Sequence, residues 1–178
     1  MTSVNRDPSL RAVVVSYHLL ANGTGRPYFV VQALRKMAKI HHVSLIASNF
    51  DHIRKRTILT EEGERVPVRP YAKNISIGRV LSYFDFARQI PLLLDVRKAD
   101  LVYVCVPDYI SAFAILKNKR DRRFLVIVDV VDLWPEAFPL PKHINRLFKG
   151  VFGGIFKPLR QWLFQKADLV LFQSRYFL

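Results

Sequence analysis

The sequence has little cysteine, little acid and no long apolar run. Its single cysteine, Cys105, excludes an internal disulfide and a cysteine-based zinc site, and it suits a reducing compartment. No uninterrupted apolar stretch reaches the roughly 18 residues that a membrane-spanning helix needs. The first ten residues, MTSVNRDPSL, lack the apolar centre of a secretory signal. Only 14 acidic residues balance 28 lysines and arginines, so the net charge is +14, and the surface should attract nucleic acid, anionic lipid or a phosphorylated ligand.

The order of apolar patterns predicts the fold. The chain of 178 residues is long enough for one domain with a substantial core. Residues 1–10 are predicted to be a flexible tail, and residues 11–178 are predicted to form a single domain. Buried strands are predicted at 12–17, 43–47, 66–71, 101–106, 124–128 and 167–172, and helical patterns at 28–40, 79–98, 109–116 and 144–165. The two prolines of the strand at 66–71 place it near a sheet edge, and Pro91 is expected to kink or divide the helix at 79–98. Strands that alternate with helices indicate an α/β, Rossmann-like, doubly wound and mostly parallel sheet with helices on both faces.

The stretch Phe124–Phe138, FLVIVDVVDLWPEAF, organises the chain. It predicts a buried strand that ends in an acidic loop, because Pro135 prevents the strand from continuing. Ligands of such sheets bind beyond the carboxyl ends of the strands, so Asp129 and Asp132 are candidates to orient or deprotonate a hydroxyl. The alternative is that Asp132 caps a turn and Glu136 is solvated. No histidine stands at metal-ligand spacing from these acids, so no metal site is expected.

A small-residue loop follows the first predicted strand. It comprises Asn22, Gly23, Thr24 and Gly25 and is followed by Arg26. Small residues let the backbone approach a ligand, and the amides that open the next helix favour an anion such as phosphate. The spacing fits neither a dinucleotide fingerprint nor a P-loop. The alternative is a flexible turn.

The segment from Lys142 to Lys166 is basic, aromatic and free of acids. An apolar face opposite a cationic face is typical of a helix that lies on an anionic membrane, and the alternative is a helix that packs on the sheet. The residues predicted to contact the membrane are Arg146, Lys149, Phe152, Phe156, Lys157, Arg160 and Trp162. Nucleic-acid binding is not expected, because the basic segments contain no recognition helix, RNA-binding signature or zinc spacing.

Four short motifs stand out. They are DLWPE, from Asp132 to Glu136; RVLSYFDFA, residues 79–87; ADLVYV, residues 99–104, followed by Pro107; and ADLV, residues 167–170, followed by Ser174. Together they resemble the N-terminal half of GT-B glycosyltransferases of family GT4, in the bacterial branch that builds polysaccharides on a lipid carrier. The first is similar to that branch's DLWPE motif, and the second to its R-x-L-S-Y-x-x-F-A helix. The similarity covers nearly the whole chain from Ala12.

The resemblance implies a retaining glycosyltransferase that moves a sugar from a nucleotide sugar to a polyprenyl-diphosphate-linked saccharide. It places Asp132 by the acceptor hydroxyl with Asp129 behind it, and the loop of residues 22–26 near the donor diphosphate. It also places His18, Trp134 and Glu136 near the acceptor, with no metal and no cofactor besides the nucleotide-sugar substrate. Val131 departs from the family, which often has arginine there, and the loop is not a plain Gly-Gly pair.

The resemblance also implies where the protein works and what completes it. The basic segment would hold it peripherally on the cytoplasmic face of the inner membrane. In the family a second domain follows and binds the nucleotide sugar, and it is absent from this sequence, so the chain alone is expected to be inactive. The alternatives are a non-catalytic membrane-surface adaptor and a half-enzyme completed by a partner chain.

Overall fold

A computed structural model describes residues 10–19, 24–58, 63–119, 123–132, 154 and 157–173. The strands are β1 Leu10–Ser16, β2 Ile40–Ser48, β3 Phe50–Asp51, β4 Arg56–Thr57, β5 Glu64–Val66, β6 Leu101–Val106, β7 Leu125–Val130 and β8 Leu169–Phe172. The helices with named bounds are α1 Arg26–Arg35, α2 Ile77–Ala87, α3 Ile90–Arg97 and α4 Tyr109–Asn118. Residues 157–166 are also helical.

One six-stranded sheet forms the centre of the domain. Its strand order is β5-β2-β1-β6-β7-β8, and every neighbouring pair is parallel. The chain moves outward from β1 through β2 to β5, then returns to β6 on the other side of β1. This reversal creates a switch point between β1 and β6, where a crevice opens beyond the carboxyl ends of both strands. The predicted α/β, Rossmann-like fold class is therefore confirmed.

The helices cover both faces of the sheet. Because alternate residues of a strand point to opposite faces, β1 contributes to two clusters. Val13 and Val15 pack with residues of α2, α3 and α4, whereas Ala12 and Val14 pack with residues of α1. Leu163, in the helical residues 157–166, is fully buried in the first cluster. The buried strands thus read as nearly continuous apolar runs, as strands covered on both faces do.

The predicted helix at 79–98 is two helices. Ser76 caps α2, with its hydroxyl accepting from the backbone N–H of Arg79 at 3.2 Å, and Pro91 lies in the first turn of α3. Proline suits that position because the amide it lacks would have no partner within the helix. The division expected from Pro91 is confirmed.

Two predicted elements extended too far along the chain. The first helix ends at Arg35 rather than Ile40, and Ile40 instead begins β2, where it pairs with Leu10 and is buried. The burial of Ile40 in the strand pair favours β2, and this outweighs the helical spacing of apolar residues that predicted a longer helix. The strand predicted at 66–71 covers only Glu64–Val66, because Pro67 lacks the N–H that would extend the ladder. The expectation that this strand lies at a sheet edge is confirmed.

Within the described part of the chain, no helix has both the length and the apolar content to cross a membrane.

Candidate ligand cavity at the switch point

A cavity of about 220 Å³ opens at the carboxyl ends of β1 and β6. The end of β1, the start of α1, the turn after β3 and the ends of β6 and β7 all contribute to its walls. Its lining residues are Ser16, His18, Thr24, Gly25, Arg26, Pro27, His52, Cys105, Val106, Pro107 and Val131. The cavity therefore lies where open α/β sheets bind their ligands.

The small-residue loop reaches this cavity through its last members. Gly25 precedes α1 with φ 103°, a left-handed conformation that favours glycine over any residue with a Cβ. This conformation turns the chain into α1, whose first turn contains Pro27. Thr24, Gly25 and Arg26 therefore meet at the helix amino terminus, where free amides and the helix dipole favour an anion. The predicted Asn22 and Gly23 lie outside the described residues.

Asp129 is fully buried, and both of its carboxylate oxygens accept hydrogen bonds. Its Oδ2 accepts from Arg26 Nε at 2.7 Å and from the Tyr103 hydroxyl at 2.7 Å, and its Oδ1 accepts from Arg26 Nη2 at 3.0 Å. The hydrogen bond from Arg26 to Asp129 raises the pKa of the guanidinium, and burial raises the pKa of Tyr103. The sequence placed Asp129 at the strand end, whereas it is the penultimate residue of β7. Asp129 therefore fixes the position of the Arg26 guanidinium. The Arg26 side chain remains 35% exposed at the cavity.

Asp132 lies two residues beyond β7 and is exposed. The Tyr109 hydroxyl donates to its backbone carbonyl at 3.3 Å, and the preceding residue, Val131, donates its N–H to the Val106 carbonyl at 3.1 Å. These bonds anchor the chain next to the cavity wall that Val131 forms. The side chain of Asp132 does not line the cavity. Trp134 and Glu136 lie outside the described residues.

His18 is held by a chain of polar contacts. Its Nε2 lies 3.0 Å from the Tyr83 hydroxyl, and Arg79 Nε donates to that hydroxyl at 2.7 Å. The His52 ring packs against His18 with 4.4 Å between centroids. Burial, followed by the positive fields of His52, Arg79 and Lys55, holds the pKa of His18 well below its usual range. His18 is therefore neutral at neutral pH.

Two other groups near the cavity are inert or structural. Burial raises the pKa of the Cys105 thiol to about 12, which leaves almost no thiolate at neutral pH to act as a nucleophile. Asp108 is buried at the start of α4 and accepts from the Ser111 N–H at 3.2 Å and from the Ser111 hydroxyl. No group of three or more potential metal ligands occurs among the described residues.

The described part of the predicted membrane segment packs partly inward. Trp162 lies 5.0 Å from the Phe113 ring, and the Arg160 guanidinium stands 5.9 Å from the centroid of Tyr109, while Lys157 is exposed. Arg146, Lys149, Phe152 and Phe156 lie outside the described residues. Trp162 and Leu163 thus help to attach this helix to the sheet, and a membrane role for the segment stays a prediction.

The structure brings together residues that the sequence did not connect. His18, Thr24, Gly25 and Arg26 were predicted and share one cavity. His52 was missed because it lies in a charged turn, between β3 and β4, that gave no pattern. Arg79 and Tyr83 were noted only as part of a motif. Their i, i+4 spacing could have indicated a shared helix face, but not that the face meets β1.

Among solved structures, the chain is similar to the UDP-GlcNAc 2-epimerase from Methanocaldococcus jannaschii. The identity is 14% over 92% of this chain and 39% of that one, with a TM-score of 0.48. It is also similar to UDP-GlcNAc 2-epimerase from Neisseria meningitidis, solved with UDP-GlcNAc bound, at 14% identity over 92% and 46%, with a TM-score of 0.44. The chain spans less than half the length of either enzyme. No family model and no curated protein matches it. A likeness of this degree assigns no activity.

Proposed function

We propose that this chain is the acceptor-side domain of a retaining, GT4-type glycosyltransferase that moves a sugar from a nucleotide sugar to a lipid-linked saccharide. The observation that carries the proposal is the cavity at the switch point, where His18, Thr24, Gly25 and Arg26 converge beside the strand that leads to Asp132. A Rossmann-like sheet is the unit from which GT-B enzymes are built. The nucleotide-binding side would come from further sequence or from a partner chain.

The proposed chemistry divides between two groups. Arg26 and the amides that open α1 would neutralise the donor diphosphate, with Asp129 and Tyr103 holding the guanidinium in place. A fixed cation at the phosphate stabilises the charge that develops as the nucleotide leaves. Asp132, exposed beyond β7, would orient the acceptor hydroxyl. No metal is needed for this assignment.

An exposed apolar stripe on α2 supports a membrane location. Ile77, Leu81 and Phe84 are 79%, 39% and 54% exposed, and their spacing puts them on one side of the helix. Ile53, in the turn that also contains the cavity residue His52, is 65% exposed. Arg88, at the end of α2, has a largely exposed guanidinium. Apolar side chains bordered by cations suit the cytoplasmic leaflet of the inner membrane, whose anionic lipids attract the +14 chain.

The activity is tested by measuring the transfer of labelled sugar to a polyprenyl-diphosphate-linked saccharide. The assay uses the full-length enzyme or the chain with its partner. Asp132→Asn should lower turnover by well over tenfold, since it removes a positioned carboxylate. Asp95→Asn, at an exposed acid on α3, is the matched control and should leave turnover unchanged. Near-normal turnover in Asp132→Asn would remove Asp132 from the site. Absence of transfer from every nucleotide sugar tried, with membrane binding intact, would favour the adaptor alternative.

Vesicle sedimentation tests the membrane location. The chain should bind phosphatidylglycerol-containing vesicles, should release them as salt is raised, and should not bind pure phosphatidylcholine. Phe84→Gln should weaken binding several-fold, whereas Leu125→Gln, at an exposed leucine that begins β7 at the amino ends of the strands, should not. Equal binding to neutral and anionic vesicles would contradict the electrostatic part of the proposal.

A further inference from the structure

The turn between β3 and β4 exposes one apolar side chain among cations. Residues 52–55 form this turn, and Arg56 begins β4 directly after it. Ile53 is 65% exposed, and Arg54 and Arg56 beside it are also exposed. Exposure of a large apolar side chain forgoes the stabilisation of about 1.5–3 kcal/mol that its full burial would give. An apolar tip bordered by positive charge suits the interface of an anionic membrane.

Hydrogen bonds hold this tip in place. Asp51 is buried, and its Oδ1 accepts from the backbone N–H groups of Ile53 at 2.9 Å and Arg54 at 3.0 Å. At the base of the turn, Phe50 pairs with Thr57 and is buried in the core. The turn that presents Ile53 is therefore ordered before it binds anything, so little conformational entropy is lost on binding.

Lys55 has a backbone conformation that lysine rarely adopts. Its φ is 54°, in the left-handed region that costs a residue with a Cβ about 1–2 kcal/mol and that glycine adopts freely. The Lys55 ammonium contacts Asn74 Oδ1, in the loop that precedes α2, and lies 4.5 Å from the centroid of the Tyr71 ring. Strained backbone is concentrated at functional sites, so this strain indicates a role for the ammonium at the junction of the turn and the loop.

The Lys55 ammonium lies in an excess of positive charge. Burial, followed by the field of Arg79, lowers its pKa, and Asp51 offsets only part of that shift. The Oδ1 of Asp51 is already bound by two backbone N–H groups of the turn. Among the described residues no carboxylate forms an ion pair with Lys55, and Asn74 takes one of the three donors of the ammonium. An anion from outside the chain would neutralise this charge and accept from the remaining donors.

Exposed isoleucines border this cationic position. Asn74, which contacts Lys55, is followed in the chain by Ile75 and Ile77, which are 45% and 79% exposed. Ile53 precedes Lys55 by two residues. A soluble anion would leave these isoleucines in water, whereas the phosphate of a phospholipid lies beside acyl chains that can receive them. The site therefore fits an anionic phospholipid better than a free phosphate.

We propose that the β3–β4 turn and the loop before α2 bind the phosphate of an anionic phospholipid, with Lys55 contacting the phosphate and Ile53 entering the acyl boundary. The inference rests on the proposed function for the membrane location, and it deepens that function by naming the residues that recognise the lipid. His52 lines the switch-point cavity and directly precedes Ile53. Binding at this turn therefore brings the cavity next to the headgroups, where a lipid-linked substrate carries its diphosphate.

Vesicle sedimentation with a matched pair of lysines tests the site. Lys98 is exposed and has a similar φ of 49°, but it follows α3 near the start of β6, whereas the β3–β4 turn follows the carboxyl end of β2. Lys55→Gln should weaken binding to phosphatidylglycerol vesicles about fivefold, as expected for one basic residue at an anionic surface. Lys98→Gln removes the same charge and should weaken binding less than about twofold. Equal losses would show that net charge binds the membrane, and would overturn the proposal.

A fluorescent label tests the insertion of Ile53. The single cysteine of the chain, Cys105, is buried, so a thiol-reactive nitrobenzoxadiazole label attaches selectively to Ile53→Cys. Its emission should shift to the blue when phosphatidylglycerol vesicles are added, and a quencher in the bilayer should reduce it. The same label on Leu125→Cys, at the amino ends of the strands, should show neither change. An unshifted emission at position 53, or an equal shift at both positions, would overturn the proposal.

Three soluble probes separate a lipid from other anions. They are inorganic phosphate, a single-stranded oligonucleotide and dihexanoyl phosphatidylglycerol below its micelle concentration, and the resonances of the Lys55 side chain report their binding. The phospholipid should shift these resonances at a concentration roughly tenfold lower than inorganic phosphate, because it also covers apolar surface. A shift by inorganic phosphate or by the oligonucleotide at an equal or lower concentration would overturn the lipid assignment.

Failure of this site and failure of the proposed activity are distinguishable. If no sugar transfer is found while the lysine pair and the label behave as expected, the proposed activity fails and the lipid site stands. If transfer occurs while Lys55→Gln and Lys98→Gln bind vesicles alike, the lipid site alone fails.

Discussion

Two polar clusters lie at the same end of the sheet and differ in how completely they are paired. At β7, Asp129 has a cation and a phenol on its oxygens and no exposed surface. At β1, His18 has one nitrogen bound to Tyr83 and the other unpartnered among the described residues. A group whose partners are all supplied by the fold contributes to stability, whereas a buried nitrogen without a partner lowers it. Substitutions in the two clusters should therefore change the free energy of unfolding by different amounts.

The largest effect is expected at Asp129. Asp129→Ala should lower the free energy of unfolding by about 3 kcal/mol, because it removes one partner of a buried pair and leaves Tyr103 without its acceptor. The value lies at the low end of the usual range since Arg26 is 35% exposed and can be rehydrated. Urea unfolding measures it, with Asp95→Ala as the surface control. A loss of unfolding free energy smaller than that of the control would contradict the role of Asp129 in fixing the position of Arg26.

Asp108 sharpens the comparison as a buried acid that has no cationic hydrogen-bond partner among the described residues. Burial raises its pKa from 3.8 to about 7, although Ser111 offsets part of that shift. The folded state therefore retains a proton that the unfolded chain has released, and stability should fall as pH rises from about 4 to about 7. Each unit of difference corresponds to about 1.4 kcal/mol.

Asp108→Asn tests this pH dependence because asparagine keeps an acceptor for the Ser111 N–H but does not titrate. The difference in unfolding free energy between wild type and variant should change across this pH range and be flat above it. A difference that does not vary with pH would show that Asp108 titrates normally. Acids with lowered pKa values, such as Asp85 beside Arg69, change stability in the opposite direction and cancel in the difference.

A smaller loss of unfolding free energy is expected at Tyr103, in the cluster around Asp129. Tyr103→Phe removes a single donor to Asp129, which keeps both bonds from Arg26, so the expected loss is about 1 kcal/mol. Chemical denaturation should show a lower midpoint with an unchanged slope. A loss as large as that of Asp129→Ala would mean that the phenol, rather than the guanidinium, holds the carboxylate.

The smallest stability effect is expected at His52, beside His18. His52→Phe removes a buried nitrogen that has no partner among the described residues, and it keeps an aromatic ring against His18. Its unfolding free energy should lie within about 0.5 kcal/mol of wild type. A loss above about 1 kcal/mol would show that His52 belongs to the structural framework, and would remove the contrast between the clusters.

The sequence by itself determined the sheet. The apolar runs at β1, β6 and β7 predicted buried parallel strands because only strands covered on both faces lose their polar alternation. It also marked the carboxyl ends of these strands as the place for a site, since this follows from topology. Pro91 predicted the division between α2 and α3 because proline lacks an amide hydrogen.

Only the tertiary structure decided which polar groups meet. Arg26, at the start of α1, forms an ion pair with Asp129 of β7, which is 103 residues away in the sequence. The Tyr83 hydroxyl contacts His18, which is 65 residues away. Periodicity is a local signal, so it reports which face of an element is buried but not which element lies opposite. The surroundings of Asp129 and His18 were therefore undetermined by the sequence. Packing gives both oxygens of Asp129 partners and leaves a buried nitrogen of His18 without one among the described residues.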